Sequence, residues 1–162
     1  AALAIAGGIA LVQVVAWKPY AVRGVPLLWI LYAGYAALGA GLVVGALHAA
    51  GIVARAAWPV HVIGVAGFAV LIIGMVTRTA LGHLGRPLRT DRSMVVAYAL
   101  VILAAVLRLV ALVPGPLTLT ALHASALAWI AAFALYLVRF APMLVRPRLD
   151  AGLLRPAAPS RK

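Results

Sequence analysis

The chain contains no cysteine and only two acidic residues, Asp91 and Asp150, among 162. Without cysteine there are no disulfides, no thiolate metal ligands and no covalent c-type haem attachment, although nothing follows about the redox compartment. Two acids cannot supply the carboxylate relay of the usual proton-coupled transporter, and no carboxylate pair, nucleophile triad or glycine-rich phosphate loop is found. Charged residues make up 10% of the chain, against about a quarter in a soluble domain. Alternation of apolar and polar residues is also missing, which disfavours a transmembrane β-barrel.

What is present is apolar surface in long runs: 67% of residues are hydrophobic. Roughly twenty consecutive apolar residues cross a bilayer core, so the sequence predicts an all-α, polytopic transmembrane helix bundle of about five spans in a lipid bilayer. Proline and glycine punctuation places the helices at 1–17, 26–47, 58–81, 93–113 and 117–140. Pro26 sits in a first turn, Ser93 is a candidate N-cap and Pro114-Gly115-Pro116 is a hard stop. Residues 1–145 then form the membrane domain, with 146–162 a basic, proline-rich cytoplasmic tail. The first helix is too short on its leading side for a signal peptide.

The basic residues are shared unequally between the two ends. Lys18, Arg23, Arg78, Arg86, Arg89, Arg92, Arg139, Arg146, Arg148, Arg155, Arg161 and Lys162 fall on one side, and Arg55 and Arg108 on the other. Positive residues accumulate in cytoplasmic loops, so this distribution predicts a cytoplasmic carboxyl terminus. A pI near 11.7 raises the question of nucleic acid, but there is no folded basic domain to hold it. Topology and anionic lipid account better for the charge.

Within this frame the segment from His61 to Leu88 is the most specific. A histidine opens a membrane-length helix and the pattern T-R-x-x-L-G-H-x-G-R-P closes it. His48 at the end of the second helix, His61 one turn into the third and His123 one to two turns into the fifth share one depth on the outer side. Neutral imidazole ligates transition metals and haem iron, and bundles build such sites from facing side chains. The three are therefore a candidate metal site. The alternative is that each is an interfacial histidine satisfied by a carbonyl or a headgroup. Arg108 lies near the same depth with no acid beside it, so it snorkels outward, bonds carbonyls or meets an anionic ligand such as a haem propionate. His83 and Arg86 lie at the opposite end beside Arg78. They form a second candidate cluster for an anion, a propionate or a metal. Tyr32 and Tyr35, inside the second helix, require a hydrogen-bond partner or a place beside a cofactor.

The segments LLWILYAGYAALGAGLVVGALH, GMVTRTALGHLGRPL, AVLRLVALV and LAWIAAFALYLVRFAPMLVRPRLD together resemble the carboxyl-terminal half of the NnrS family. Its most specific element is here Met75, Thr77, Arg78, Leu81, Gly82, His83, Gly85, Arg86 and Pro87, with Leu84 where the family usually has threonine. The resemblance implies a bacterial inner-membrane protein containing haem and copper, associated with denitrification and protection from nitric oxide. It places His61, Arg78, His83, Arg86 and Arg108 on family positions; His48 and His123 have no counterpart in the motif. The cofactor-binding candidates are accordingly His61, His123, Arg108, His83, Arg78 and Arg86, and the metal candidates His48, His61 and His123, for haem b and/or copper. The family's amino-terminal half, with its own histidine motif, is missing from this sequence. The chain is then expected to be a fragment, or to pair with another membrane subunit. A second function class stays open: a non-catalytic accessory subunit of a larger respiratory complex, in which the glycine-rich faces pack a partner.

Overall fold

The structure is a computed structural model, and it describes residues 1–146. It is built from helices alone among these residues: α1 (Ala2–Ala16), α2 (Pro26–Ala49), α3 (Ala57–His83), α4 (Arg92–Val110) and α5 (Thr118–Leu144). The last four are long and apolar enough to cross a membrane, and α1 is a shorter apolar helix. Of the tail expected over 146–162, all but Arg146 lies outside the described residues.

Each helix packs antiparallel on its predecessor, α1 on α2, α2 on α3, α3 on α4 and α4 on α5. Between membrane helices no hydrophobic effect operates, so association depends on close van der Waals contact and on small residues at the seam. The α2–α3 seam shows this directly. A Cβ added at Gly34 would lie 2.8 Å from the Leu71 backbone nitrogen, and one at Gly67 would lie 3.2 Å from the Leu38 Cα. The core that results joins Ile30 of α2, Val70 and Ile73 of α3, Tyr98 and Val101 of α4 and Ala132 of α5.

Helix α3 is irregular where it matters. Residues Val62–Ala69 are wound as a π-helix directly after His61, a form that is rare and concentrates at functional sites. Tyr32 and Tyr35 find protein partners: the Tyr32 hydroxyl donates to the Trp17 carbonyl at 3.0 Å, and that of Tyr35 to Gln13 Oε1 at 2.7 Å. It is Tyr98, fully buried at the centre of the core, whose hydroxyl has no partner among the described residues.

The expected boundaries differ from the observed ones most clearly at both ends of α4 and at the carboxyl ends of α3 and α5. Helix α3 runs on to His83, and α4 stops at Val110. The N-cap of α4 is Asp91, two residues before the serine expected there: its carboxylate accepts the Met94 N–H at 3.0 Å, and the Ser93 hydroxyl donates to the same oxygen at 2.6 Å. Helix α5 also continues through Pro142 to Leu144. Proline removes one backbone donor, and so close to the helix end that loss does not stop the last turn.

Candidate functional site

His61 occupies the last residue of the first, α-helical turn of α3, before the π-helical stretch. Its Nδ1 lies 2.8 Å from the Ala57 carbonyl oxygen. A carbonyl only accepts, so Nδ1 carries the proton; in the neutral ring Nε2 is then left as an unprotonated lone pair. This is the arrangement by which proteins orient metal-ligating imidazoles, the second nitrogen donating to a backbone carbonyl.

The cleft beside His61 has a volume of about 370 Å³ and is walled by Val65 of α3, Arg108 of α4, and Leu122, Ser125, Ala126, Trp129 and Ile130 of α5. Its base is tied together by the Ser125 hydroxyl, which donates to the Ala104 carbonyl at 2.7 Å. Arg108 is half-buried there. The salt bridge among the described residues, from Arg139 to Asp91, lies at the opposite end of the bundle, so no carboxylate among them serves Arg108. The cleft therefore offers one imidazole lone pair, one guanidinium and an aromatic-aliphatic wall. That donor set fits an amphiphilic ligand with a ligatable centre and an acidic edge.

Of the outer histidines, the structure brings only His61 to this cleft, and the shared metal site expected of His48, His61 and His123 is not assembled. Among the described residues no three His, Cys, Asp or Glu side chains come close enough to share an ion. The reasons are local. The residues of α5 that face the cleft, Leu122, Ser125, Ala126, Trp129 and Ile130, follow the spacing i, i+3, i+4, i+7, i+8 of a single helix face. His123 lies at the edge of that face, is exposed, and does not line the cleft. His48 ends α2, which packs on α1 and α3 and not on the cleft side of α5, and its Nδ1 is 2.6 Å from the Val53 carbonyl.

At the other end the expected grouping of Arg78, His83 and Arg86 is also rearranged. Arg78 and His83 are exposed, whereas Arg86 lines two cavities with Arg139 and Met143 of α5. The motif that places it is a helix stop. The Arg86 N–H bonds the Leu81 carbonyl at 2.9 Å and the Gly85 N–H bonds that of Gly82 at 3.1 Å, with Gly85 at φ +64°. These are the paired bonds of a Schellman motif, which needs a left-handed residue at the glycine. Asp91, absent from the expected site, is the organising acid of this end. Its partial burial pushes the carboxyl pKa up, but hydrogen bonds from Ser93, the Met94 N–H and Arg139, with the charge of Arg139, outweigh this and hold it below 3.8. Its short local signal, D-x-S before an apolar run, was there to be found.

Apolar helices of spanning length, with an imidazole and a guanidinium converging on one cleft between them, define a multi-pass membrane protein with a candidate ligand site. The family model described as NnrS protein matches residues 1–148, and the chain belongs to the NnrS family. No curated protein and no solved structure matches it.

Proposed function

We propose that the cleft between α3, α4 and α5 binds haem b, with His61 as axial ligand, in a bacterial inner-membrane protein of the nitric oxide response. The observation that carries this reading is the hydrogen bond from His61 Nδ1 to the Ala57 carbonyl, which leaves the Nε2 lone pair unengaged on a residue that lines the same cleft as Arg108. Haem, when bound, would supply an iron able to take a diatomic ligand such as nitric oxide. Arg108 would pair with a propionate, and this supplies the anion its half-buried guanidinium lacks. Trp129 and Ile130 line the wall and exclude water from the face they cover. Copper does not fit the described residues in the same way, since one imidazole without a second donor is not a copper site. A copper centre would draw its ligands from an amino-terminal half or a partner membrane subunit.

Optical spectroscopy of the purified protein tests the proposal. A Soret band is expected in the unaltered protein and in His123→Ala, and its loss in His61→Ala. Arg108→Gln should keep the band position but weaken haem retention about thirtyfold, the equivalent of one charge-assisted hydrogen bond of about 2 kcal/mol. A colourless protein would overturn the reading in favour of an accessory subunit without cofactor, and an undiminished band in His61→Ala would overturn His61 as the ligand.

A further inference from the structure

Three arginines from separate segments meet at the basic end of the bundle. Arg86 arrives from the turn after α3, Arg139 from the last turns of α5, and Arg146 from just beyond that helix. They line one cleft of about 290 Å³ with Ser93, Leu135, Val138, Pro142 and Met143. No carboxylate lines it. Asp91 takes the Nε of Arg139 and the Met143 sulfur makes a long contact with its Nη1 at 3.8 Å, leaving Nη2 of that residue, with Arg86 and Arg146, as donors. Asp91 offsets the charge of Arg139 alone, so Arg86 and Arg146 bring an excess of positive charge to the cleft, which a bound anion would offset.

The remainder of the lining says which anion. Leu135, Val138, Pro142 and Met143 form an apolar wall directly beside the cations, and Val138 is 73% exposed on the outer surface of α5, where the surrounding solvent is hydrocarbon. A free phosphate gains nothing from such a wall. A phospholipid supplies both parts: oxygen acceptors for the guanidinium groups, and acyl chains against the aliphatic face. Basic pockets between membrane helices recognise anionic headgroups in this manner.

We infer that this cleft is a binding site for one anionic phospholipid, whose phosphate is held by Arg86, Arg139 and Arg146 and whose chains lie along Val138. The site is independent of the haem proposal. It gives Arg86 of the L-G-H-x-G-R-P motif a ligand at the opposite end of α3 from His61. It also joins the turn after α3 to the end of α5 through the lipid.

Native mass spectrometry of the detergent-purified full chain, titrated with phosphatidylglycerol or phosphatidylcholine, tests this. One phosphatidylglycerol is expected to bind in preference to phosphatidylcholine. The double variant Arg86→Gln, Arg146→Gln should weaken it roughly thirtyfold, each juxtamembrane arginine contributing about a factor of five. Val138→Trp, which keeps every charge and fills the apolar side of the cleft, should weaken it as well. Arg23→Gln removes an exposed arginine at the same end that does not line the cleft, and should leave binding unchanged. Equal loss in Arg23→Gln would overturn the site in favour of diffuse charge. Displacement of phosphatidylglycerol by millimolar inorganic phosphate, with Val138→Trp indifferent, would overturn the lipid in favour of a free anion. Equal binding of the two lipids would overturn both.

Discussion

Gly85 shows how a motif that looks chemical is partly a matter of backbone. With φ at +64° it holds the left-handed conformation that lets the Arg86 and Gly85 N–H groups return to the Leu81 and Gly82 carbonyls. A residue with a Cβ is destabilised there by roughly 1–2 kcal/mol. Gly82, one turn earlier, faces open space: a methyl group added to its Cα would meet nothing within 4 Å. Gly85→Ala is therefore expected to lower the thermal unfolding midpoint in detergent by several degrees, and Gly82→Ala to leave it nearly unchanged. Equal midpoints for the two variants would show that the turn is not held by this conformation. His83 in the same stretch has a parallel explanation, since a basic residue in the last turn of a helix meets the negative end of its dipole.

At the scale of elements, α4 and α5 are fastened at one end by Asp91 and Arg139 and further along by Ser125 on the Ala104 carbonyl. Asp91 serves both as N-cap and as ion-pair partner. Because its folded pKa is depressed, the stability it contributes is fully present above the unfolded carboxylate value and is lost as pH falls through the folded one, below 3.8. The pair is more than a third exposed on each side, so solvent screening keeps the charge contribution small. The cap dominates, at about 1 kcal/mol. Acidification of the detergent-solubilised protein from about pH 5 to below pH 3.8 should lower its unfolding midpoint, and Asp91→Ala should flatten that slope while lowering the midpoint at neutral pH. A slope unaltered in Asp91→Ala would assign the effect to other groups.

These two helices also mark what was legible in the sequence. Apolar run length and proline-glycine stops were enough to find the four helices of spanning length and the shorter α1, because a span in lipid must be long, apolar and internally hydrogen-bonded; the short 3-10 turn at Pro19–Val22 was not legible in this way. Depth was legible too: His61 and Arg108, assigned to one level by counting residues from their helix ends, line one cleft. Azimuth was not. His123 is exposed and does not line the cleft, since which residues of a helix meet a neighbour is set by small-residue packing that a lone apolar sequence does not encode. The choice of Asp91 over Ser93 as cap rests on local bonds from Ser93 and the Met94 N–H, whereas its pairing with Arg139, 48 residues away, has no local signal.

For the molecule as a whole, the described cations separate along the bundle axis. Lys18, Arg23, Arg78, Arg86, Arg89, Arg92, Arg139 and Arg146 lie toward the end where α1, α3 and α5 finish, and Arg55 and Arg108 toward the other. Arg55 is engaged in a structural contact, donating to the Leu112 carbonyl at 3.0 Å, and Arg108 faces the cleft. The short turns between α1 and α2 and between α3 and α4 thus carry the bias that orients insertion, and short loops close to span ends are where that bias acts. The expected topology puts the phospholipid cleft in the cytoplasmic leaflet, which is the anionic one, and the His61 cleft toward the periplasm. A fluorescent protein fused after Lys162 should therefore be bright, and alkaline phosphatase fused there inactive. Moving the bias should move the protein: lysines added to the Val113–Leu117 turn, with Arg86, Arg89 and Arg92 made neutral, are expected to give a mixed orientation with partial phosphatase activity. Full phosphatase activity from the unaltered chain would invert both clefts and place the three-arginine site in the outer leaflet.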